Sequence, residues 1–276
     1  MATNSIKDNL TKSEIISELL LSIKGDVKKE YIHLIVEGVD DIRFFKSRVS
    51  PHVYIYESFS GKEGVFDILK NFKKEDRILG ICDRDYADIP TDLNIFFYDF
   101  SCLEIMLISN EDVFKSCSDT FYYGSLNSNE LLLKILNELK WLGIFRRLSF
   151  QKKFAIKFNG LSITNAFNKS TLSLNISNLI TQINSRNDNF CEKNHDILND
   201  IEKQSRNILS KNELLYLSQG HDFLNLFKCF CGENFKPEVF FCSLLCCYQK
   251  NHFKSTNLYS SLKQYQSEKN LNNILN

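Results

Sequence analysis

Apolar and polar positions follow two regimes along this chain. In roughly the first hundred residues, short β-branched apolar runs alternate with segments of helical spacing. Thr11 and Glu14 stand at the spacing of a capping box and predict a helix through ISELLLSIK. YIHLIVEG (31–38) reads as a buried strand ending in glycine, and VDDIRFFKSRV as the helix after it. HVYIYE (52–57) reads as a second strand and KEGVFDILKNFKK as a second helix. RILGICDRD (77–85) is a third strand ending in charge, LNIFFYDF (93–100) a fourth, and SCLEIMLIS the start of a further helix. Strands separated by helices predict βαβ units, a parallel sheet and a layered α/β fold.

Beyond residue 110 the strand cues fade. NELLLKILNELKWLGIFRRL, SNLITQINS, HDILNDIEKQSRNIL and KPEVFFCSLLCCYQKNHF have helical spacing, and Pro237 suits the first turn of the last, where its missing N–H costs nothing. A short strand or turn is expected around FAIKFNGLSI (154–163). The expected organisation is an α/β core over 1–110, then a mostly helical region over 111–276 for substrate and partner contacts. With no repeat or linker between them, the boundary is a change of pattern.

Composition narrows the function classes. The 276 residues carry 34 basic and 34 acidic side chains, which argues against a histone-like, wholly electrostatic binder of nucleic acid. Residues 1–110 hold 14 Lys/Arg against 19 Asp/Glu, leaving 20 against 15 for the remainder, so an acidic part precedes a basic one. No run of about 18 apolar residues exists, which excludes a membrane-spanning helix. MATNSIKDNLTKSE lacks the apolar core of a secretion signal, so a cytoplasmic protein is expected. Its nine cysteines then read as reduced thiols acting as small hydrophobes.

The candidate chemistry is acidic. Glu37 ends the first strand and precedes Gly38, with Asp40 and Asp41 in the next helix's first turn; Asp83, Asp85 and Asp88 end the third strand; Glu104 follows the fourth. Strands of an open α/β sheet present such residues at one edge, outside their carboxyl ends. Clustered carboxylates either protonate or bind a cation, and hard oxygen donors at irregular spacing suit Mg²⁺ or Mn²⁺. Asp83 and Asp85, two apart on an extended chain, would face one metal. Gly38 would let the backbone turn sharply and a phosphate approach. Each motif also has a plainer explanation. The helix dipole favours Asp40 and Asp41, and Asp-x-Asp after a strand is often a polar turn.

At these residues the sequence resembles a known family. IVEGVDDIRFF and ICDRDYAD resemble the two acidic motifs of TOPRIM domains, and NIFFYDFSCLEIML resembles the Ser-x-x-Glu element of the overcoming-lysogenization-defect (OLD) nuclease branch. VEGxDD, DRD and YDFSCLE are similar more narrowly to the AriB-type nuclease effectors of PARIS anti-phage systems, as are the downstream FNGLSI and QGHDFLNLF. The resemblance covers about residues 30–110 well and the rest thinly. It implies a TOPRIM-like fold and a divalent-metal-dependent phosphodiester nuclease, with Glu37, Asp83, Asp85 and Glu104 as metal ligands and catalytic acids and Asp41 as a further ligand. It also implies an ATPase partner and transfer RNA as target. One departure is that Tyr86, Ala87 and Asp88 follow Asp-x-Asp where many TOPRIM sequences carry a glycine, which argues against a primase or topoisomerase role.

The basic candidates lie in 139–157, where Lys140, Arg146, Arg147, Lys152, Lys153 and Lys157 occur with no acid. The charges are read as phosphate contacts suited to single-stranded or looped RNA, and Lys157 is chosen as the lysine beside the metal. The interleaved Trp141, Phe145, Phe150, Phe154 and Phe158 are read as core. Cys229, Cys231, Cys242, Cys246 and Cys247 lack zinc-knuckle spacing, and VFFCSLLCCY reads as one apolar helix face. His221-Asp222 is expected to order the turn before FLNLFKCF, and the other histidines to be structural or on the surface. GKEG (61–64) is too short for a Walker motif. Three readings stay open: an RNase effector controlled by an ATPase partner, a DNA endonuclease with the same chemistry, and a degenerate module that mainly binds the ATPase. A homodimer would suit an active form that grips a long polymer.

Overall fold

A computed structural model describes residues 11–86, 92–232 and 235–276. Asp88 and the first ten residues lie outside the described residues. Contacts divide the chain into two compact units. One holds the chain up to Arg84, the segment ending at Asp99 and Lys250–Asn276; the other holds Asp85 and Phe100–Gln249. This division does not follow the change of pattern at residue 110.

The first unit is α/β. Its elements are α1 (Lys12–Gly25), β1 (Ile32–Val36), α2 (Val39–Phe45), β2 (Val53–Glu57), α3 (Gly61–Lys70), β3 (Ile78–Cys82) and β4 (Ile95–Phe97). The expected capping box forms, with the Thr11 N–H on the Glu14 carboxylate at 2.6 Å. The four strands make one parallel sheet in the order β2-β1-β3-β4. Every residue of β1 and β3 is buried, His33 included, as central strands of a sheet covered on both faces should be. Ile15 and Leu19 of α1 and Val65, Ile68 and Leu69 of α3 share a core with Ile35, Ile78 and Cys82. At Gly80 a Cβ would stand 2.6 Å from Leu69 Cδ1 and 2.7 Å from Val65 Cγ1, so α3 comes closer to β3 than any side chain would permit.

The second unit is mostly helical, as expected. It comprises α4 (Leu103–Ser109), α5 (Glu111–Phe121), α6 (Ser128–Gln151), α7 (Ile163–Ala166), α8 (Ile176–Arg186), α9 (Phe190–Lys193), α10 (His195–Ser205), α11 (Lys211–Leu217), α12 (Gly220–Cys231) and α13 (Pro237–Cys247). A two-residue antiparallel pair joins β5 (Phe167–Asn168) to β6 (Ser173–Leu174). The stretch 154–163 is the turn, not the strand, of the two expected forms. Phe114, Phe223, Phe227 and Phe240 form an aromatic core, with the last two stacked at 4.1 Å. The chain then returns to the first unit through α14 (Lys250–Lys254) and α15 (Asn257–Glu268), where Phe253 packs edge-on against Phe44 at 5.3 Å.

Two cysteine expectations divide. All nine thiols are free, and Cys82, Cys102, Cys117 and Cys191 are buried like small hydrophobes. Burial and the neighbouring Cys247 push the Cys117 thiol up to about 12. On α13, however, Cys242 and Cys246 are exposed. The helix buries Phe240, Phe241 and Leu244, and the 3.6-residue period turns those two thiols to the other side. Among the described residues, no helix is long and apolar enough to cross a membrane.

Candidate functional site

The strand order places the candidate acids. The chain leaves β1 for β2 on one side and returns to β3 on the other, so the order reverses between adjacent β1 and β3. Ligands of open α/β sheets bind outside the carboxyl ends of strands at such a reversal. Glu37 is the first residue beyond β1 and Asp83 the first beyond β3. The two are joined directly, with the Asp83 backbone N–H donating to Glu37 Oε1 at 2.6 Å. A charged acceptor at this length is one of the stronger hydrogen bonds a backbone amide makes.

Gly61 lies beside the same carboxylate. It opens α3 with φ +53°, a left-handed conformation natural to glycine, and a Cβ there would lie 3.7 Å from Glu37 Oε2. Buried Ser58 fixes the approach by donating to the Gly61 carbonyl at 2.6 Å, with the Glu37 carbonyl at 3.4 Å as a second acceptor. Lys62, next along α3, donates from Nζ to the Arg84 carbonyl at 3.0 Å. GKEG is weighed in the sequence only as a Walker motif and is too short for one, so Gly61 and Lys62 are not among the candidate site residues.

Asp41 is 8% exposed, with both oxygens engaged. Oδ2 accepts the Gly38 N–H at 2.8 Å, the return half of a capping box, and Oδ1 accepts the hydroxyl of fully buried Tyr98. Burial, and then the charges of Asp41, Asp83 and Glu37, hold the Tyr98 phenol well above its usual range. This edge of the sheet is therefore rich in negative charge. Gly38 does not act as expected: its φ of −160° is extended backbone open to any residue, and a Cβ would meet only Asp41 Oδ2 at 3.9 Å.

Asp85 and Glu104 belong to the helical unit. Asp85 has φ +49°, so the alternation expected for Asp83 and Asp85 on an extended chain is broken at this residue. Its N–H donates to the Ser101 carbonyl at 2.9 Å, and its Oδ1 accepts from Gln219 Nε2 at 3.3 Å. Glu104, in the first turn of α4, lies against Gly220.

The basic stretch is acid-free in sequence but not in space. Arg146 pairs with buried Asp222 at 2.9 Å and lies over the Phe158 ring at 5.0 Å. Lys152 stands 3.7 Å from Asp200, Arg147 donates to Gln204 at 3.0 Å, and Lys140 to the Asn207 carbonyl at 3.3 Å. Lys153 and Lys157 are exposed, and the Lys157 backbone N–H donates to Asn187 Oδ1 at 2.7 Å. Trp141 and Phe145 are core, as read, whereas Phe150 is 52% exposed. His33, expected to be structural or on the surface, is fully buried in β1.

Among the described residues, no group of three or more His, Cys, Asp or Glu side chains is arranged to hold a metal ion, and this includes the cysteine-rich segment. Mg²⁺, however, is commonly bound through one or two carboxylates, with water and substrate phosphate completing its shell. Glu37 and Asp83 fit that demand in donor type and number. No protein-family model matches the chain, and no curated protein matches it.

Proposed function

We propose that this protein is a divalent-metal-dependent phosphodiester nuclease of TOPRIM type, in which Glu37 and Asp83 ligate the metal and the motif resemblance adds Asp85 and Glu104 as further ligating acids. The observation that carries the reading is the 2.6 Å bond joining Glu37 to the Asp83 backbone, at the carboxyl ends of adjacent parallel strands where the strand order reverses. The motif resemblance adds the reaction class. It also supports an RNA substrate, transfer RNA first, and control by an ATPase partner within an anti-phage system.

The chain's own residues have definable tasks in this reading. Bound Mg²⁺ or Mn²⁺ would supply Lewis acidity toward a scissile phosphate and its attacking water. Glu37 is held in place through Oε1, which stays tied to the backbone beyond β3. Asp41 orients the start of α2 through Gly38 and Tyr98. Lys62, held at the Arg84 carbonyl between the two acids of the Asp-x-Asp pair in sequence, joins Lys157 as a lysine assigned to developing phosphate charge.

The test is cleavage of total transfer RNA and plasmid DNA side by side in Mg²⁺, Mn²⁺ or EDTA. Glu37→Gln is the sharper control, because its amide oxygen can still accept the Asp83 N–H while the charge is lost. Metal-dependent cutting that disappears in Glu37→Gln supports the reading, and the preferred polymer separates RNase from DNA endonuclease. A folded Glu37→Gln that cuts like the wild type would refute it. A second reading, a module that mainly binds an ATPase, draws on the lack of a preassembled three-acid group among the described residues. Absence of any Mn²⁺ heat in calorimetry favours that reading.

A further inference from the structure

The six residues from Leu217 to Asp222, between the body of α11 and the first turn of α12, make an unusual run of specific contacts. The Leu217 carbonyl accepts the Tyr86 hydroxyl at 2.9 Å. The Ser218 carbonyl accepts the hydroxyl of fully buried Ser101, whose own carbonyl holds the Asp85 N–H. Gln219 donates to the Asp85 carboxylate at 3.3 Å. At buried Gly220, a Cβ would stand 2.5 Å from Glu104 Cδ and Oε2 and 2.7 Å from Glu104 Cβ. Asp222, 5% exposed, is locked to Arg146. From the other side the segment meets α6 so closely that a Cβ on Gly143 would lie 2.5 Å from the Leu217 carbonyl.

These contacts have a common direction. Two bear on carboxylates, two on residues flanking Asp85 and Glu104 in sequence, and the remainder pin the segment itself. We propose that the Leu217–Asp222 segment is the positioning frame for Asp85 and Glu104, with Gln219 and Gly220 as its positioning residues. Gln219 orients the Asp85 carboxylate and satisfies one of its lone pairs. Gly220 leaves the space in which the Glu104 carboxylate lies against the start of α12, and a side chain there would overlap it. Arg146 and Asp222 act at one remove by fixing the first turn of α12, so the Arg146 guanidinium belongs to the frame.

The inference rests on the metal-ligating reading of these acids, and the experiment separates the two. Mn²⁺ binding is measured by calorimetry on the full chain, with cleavage kinetics alongside, for the wild type, Gln219→Ala, Gly220→Ala and a Gly25→Ala control. Gly25 ends α1 with nothing within 4 Å of its would-be Cβ. Outer partners of metal ligands typically contribute about 10–100-fold in affinity or activity. We expect Mn²⁺ affinity to fall at least about tenfold in Gln219→Ala and Gly220→Ala, with kcat lowered, KM for nucleic acid unchanged and Gly25→Ala like the wild type. Should Gly220→Ala fail to fold, Gln219→Ala decides alone, since it removes a half-buried polar end without a clash. A wild type that binds Mn²⁺ together with a Gln219→Ala that binds it equally well overturns the frame and leaves the nuclease reading standing. A wild type that binds no Mn²⁺ overturns both.

Discussion

Removing one partner of the Arg146–Asp222 pair should destabilise the protein more than removing both. A single guanidinium nitrogen bridges both carboxylate oxygens, with Arg146 Nη2 at 2.9 Å and 3.2 Å from the two Asp222 oxygens. The side chains are 20% and 7% exposed. Burial pushes the Asp222 carboxyl up, and Arg146 and then His221 pull it down. Breaking a fully buried pair by deleting one charge costs about 3–5 kcal/mol, because the remaining charge is stranded. Arg146 retains some solvent, so Asp222→Asn should cost less, about 2–3 kcal/mol. That corresponds to a fall of roughly 4–12 °C in Tm for a chain of this size. Arg146→Met with Asp222→Leu replaces both charges by apolar groups of similar volume and should recover most of the loss. Urea and thermal unfolding of Arg146→Met, Asp222→Leu and the double variant give the cycle, with Asp222→Asn as the smaller deletion beside it. Single variants within about 0.5 kcal/mol of wild type, or losses that simply add in the double, would refute the claim that the two charges depend on each other.

Three further outcomes follow from the sheet. Gly80→Ala should cost about 1–3 kcal/mol by overpacking β3 against Leu69 and Val65, and an unchanged urea midpoint would show that α3 can retreat freely. Tyr98→Phe removes one donor from the buried Asp41 carboxylate and should cost about 1–3 kcal/mol while leaving the Gly38–Asp41 bond in place; an unchanged midpoint would show that the hydroxyl contributes nothing net. Burial, with Arg77 next, lowers the His33 pKa, so the fold holds this imidazole neutral. Its contribution is whole above the unfolded value of about 6.5 and is lost as pH falls from there toward the folded value, since the unfolded chain takes the proton first. His33→Phe should flatten the pH dependence of stability between about pH 7 and pH 5; an identical slope in the variant would contradict this.

The parts of the fold governed by local pattern were legible in the sequence. Every strand of the parallel sheet was, because β1 and β3 are apolar runs interrupted only by His33 and because β1, β2 and β4 are each followed by helical spacing. The capping box at Thr11 and Pro237 at the start of α13 were equally local, and each appears at its expected place. What failed to show were relations between residues far apart in the chain. The stretch 139–157 contains no acid, yet Asp222 and Asp200 reach Arg146 and Lys152 from 76 and 48 positions away, as the numbering gives directly. Backbone conformation was hidden as well. Gly38 looked like the glycine the site needed, whereas the left-handed glycine is Gly61, and nothing in GKEG announces the sign of φ.

The candidate site follows the same division. That Glu37 and Asp83 fall at strand ends was readable, because strand ends are local; that the Glu37 carboxylate accepts the Asp83 backbone N–H depended on strand order, which periodicity leaves open. Asp85 and Glu104 depend on a still longer relation, since the segment that touches both begins 132 positions after Asp85. A parallel sheet obtains its strand-end acids from consecutive βαβ units at little topological cost. Orienting them requires rigid backbone from elsewhere, because the left-handed Asp85 sits in a turn with no ladder to hold it. Ser101 and Ser218, both buried and bonded to each other, supply that rigidity where the chain returns. Ser101→Ala should therefore resemble Gln219→Ala in its effect on Mn²⁺ affinity, while adding the cost of an unmet buried carbonyl at Ser218.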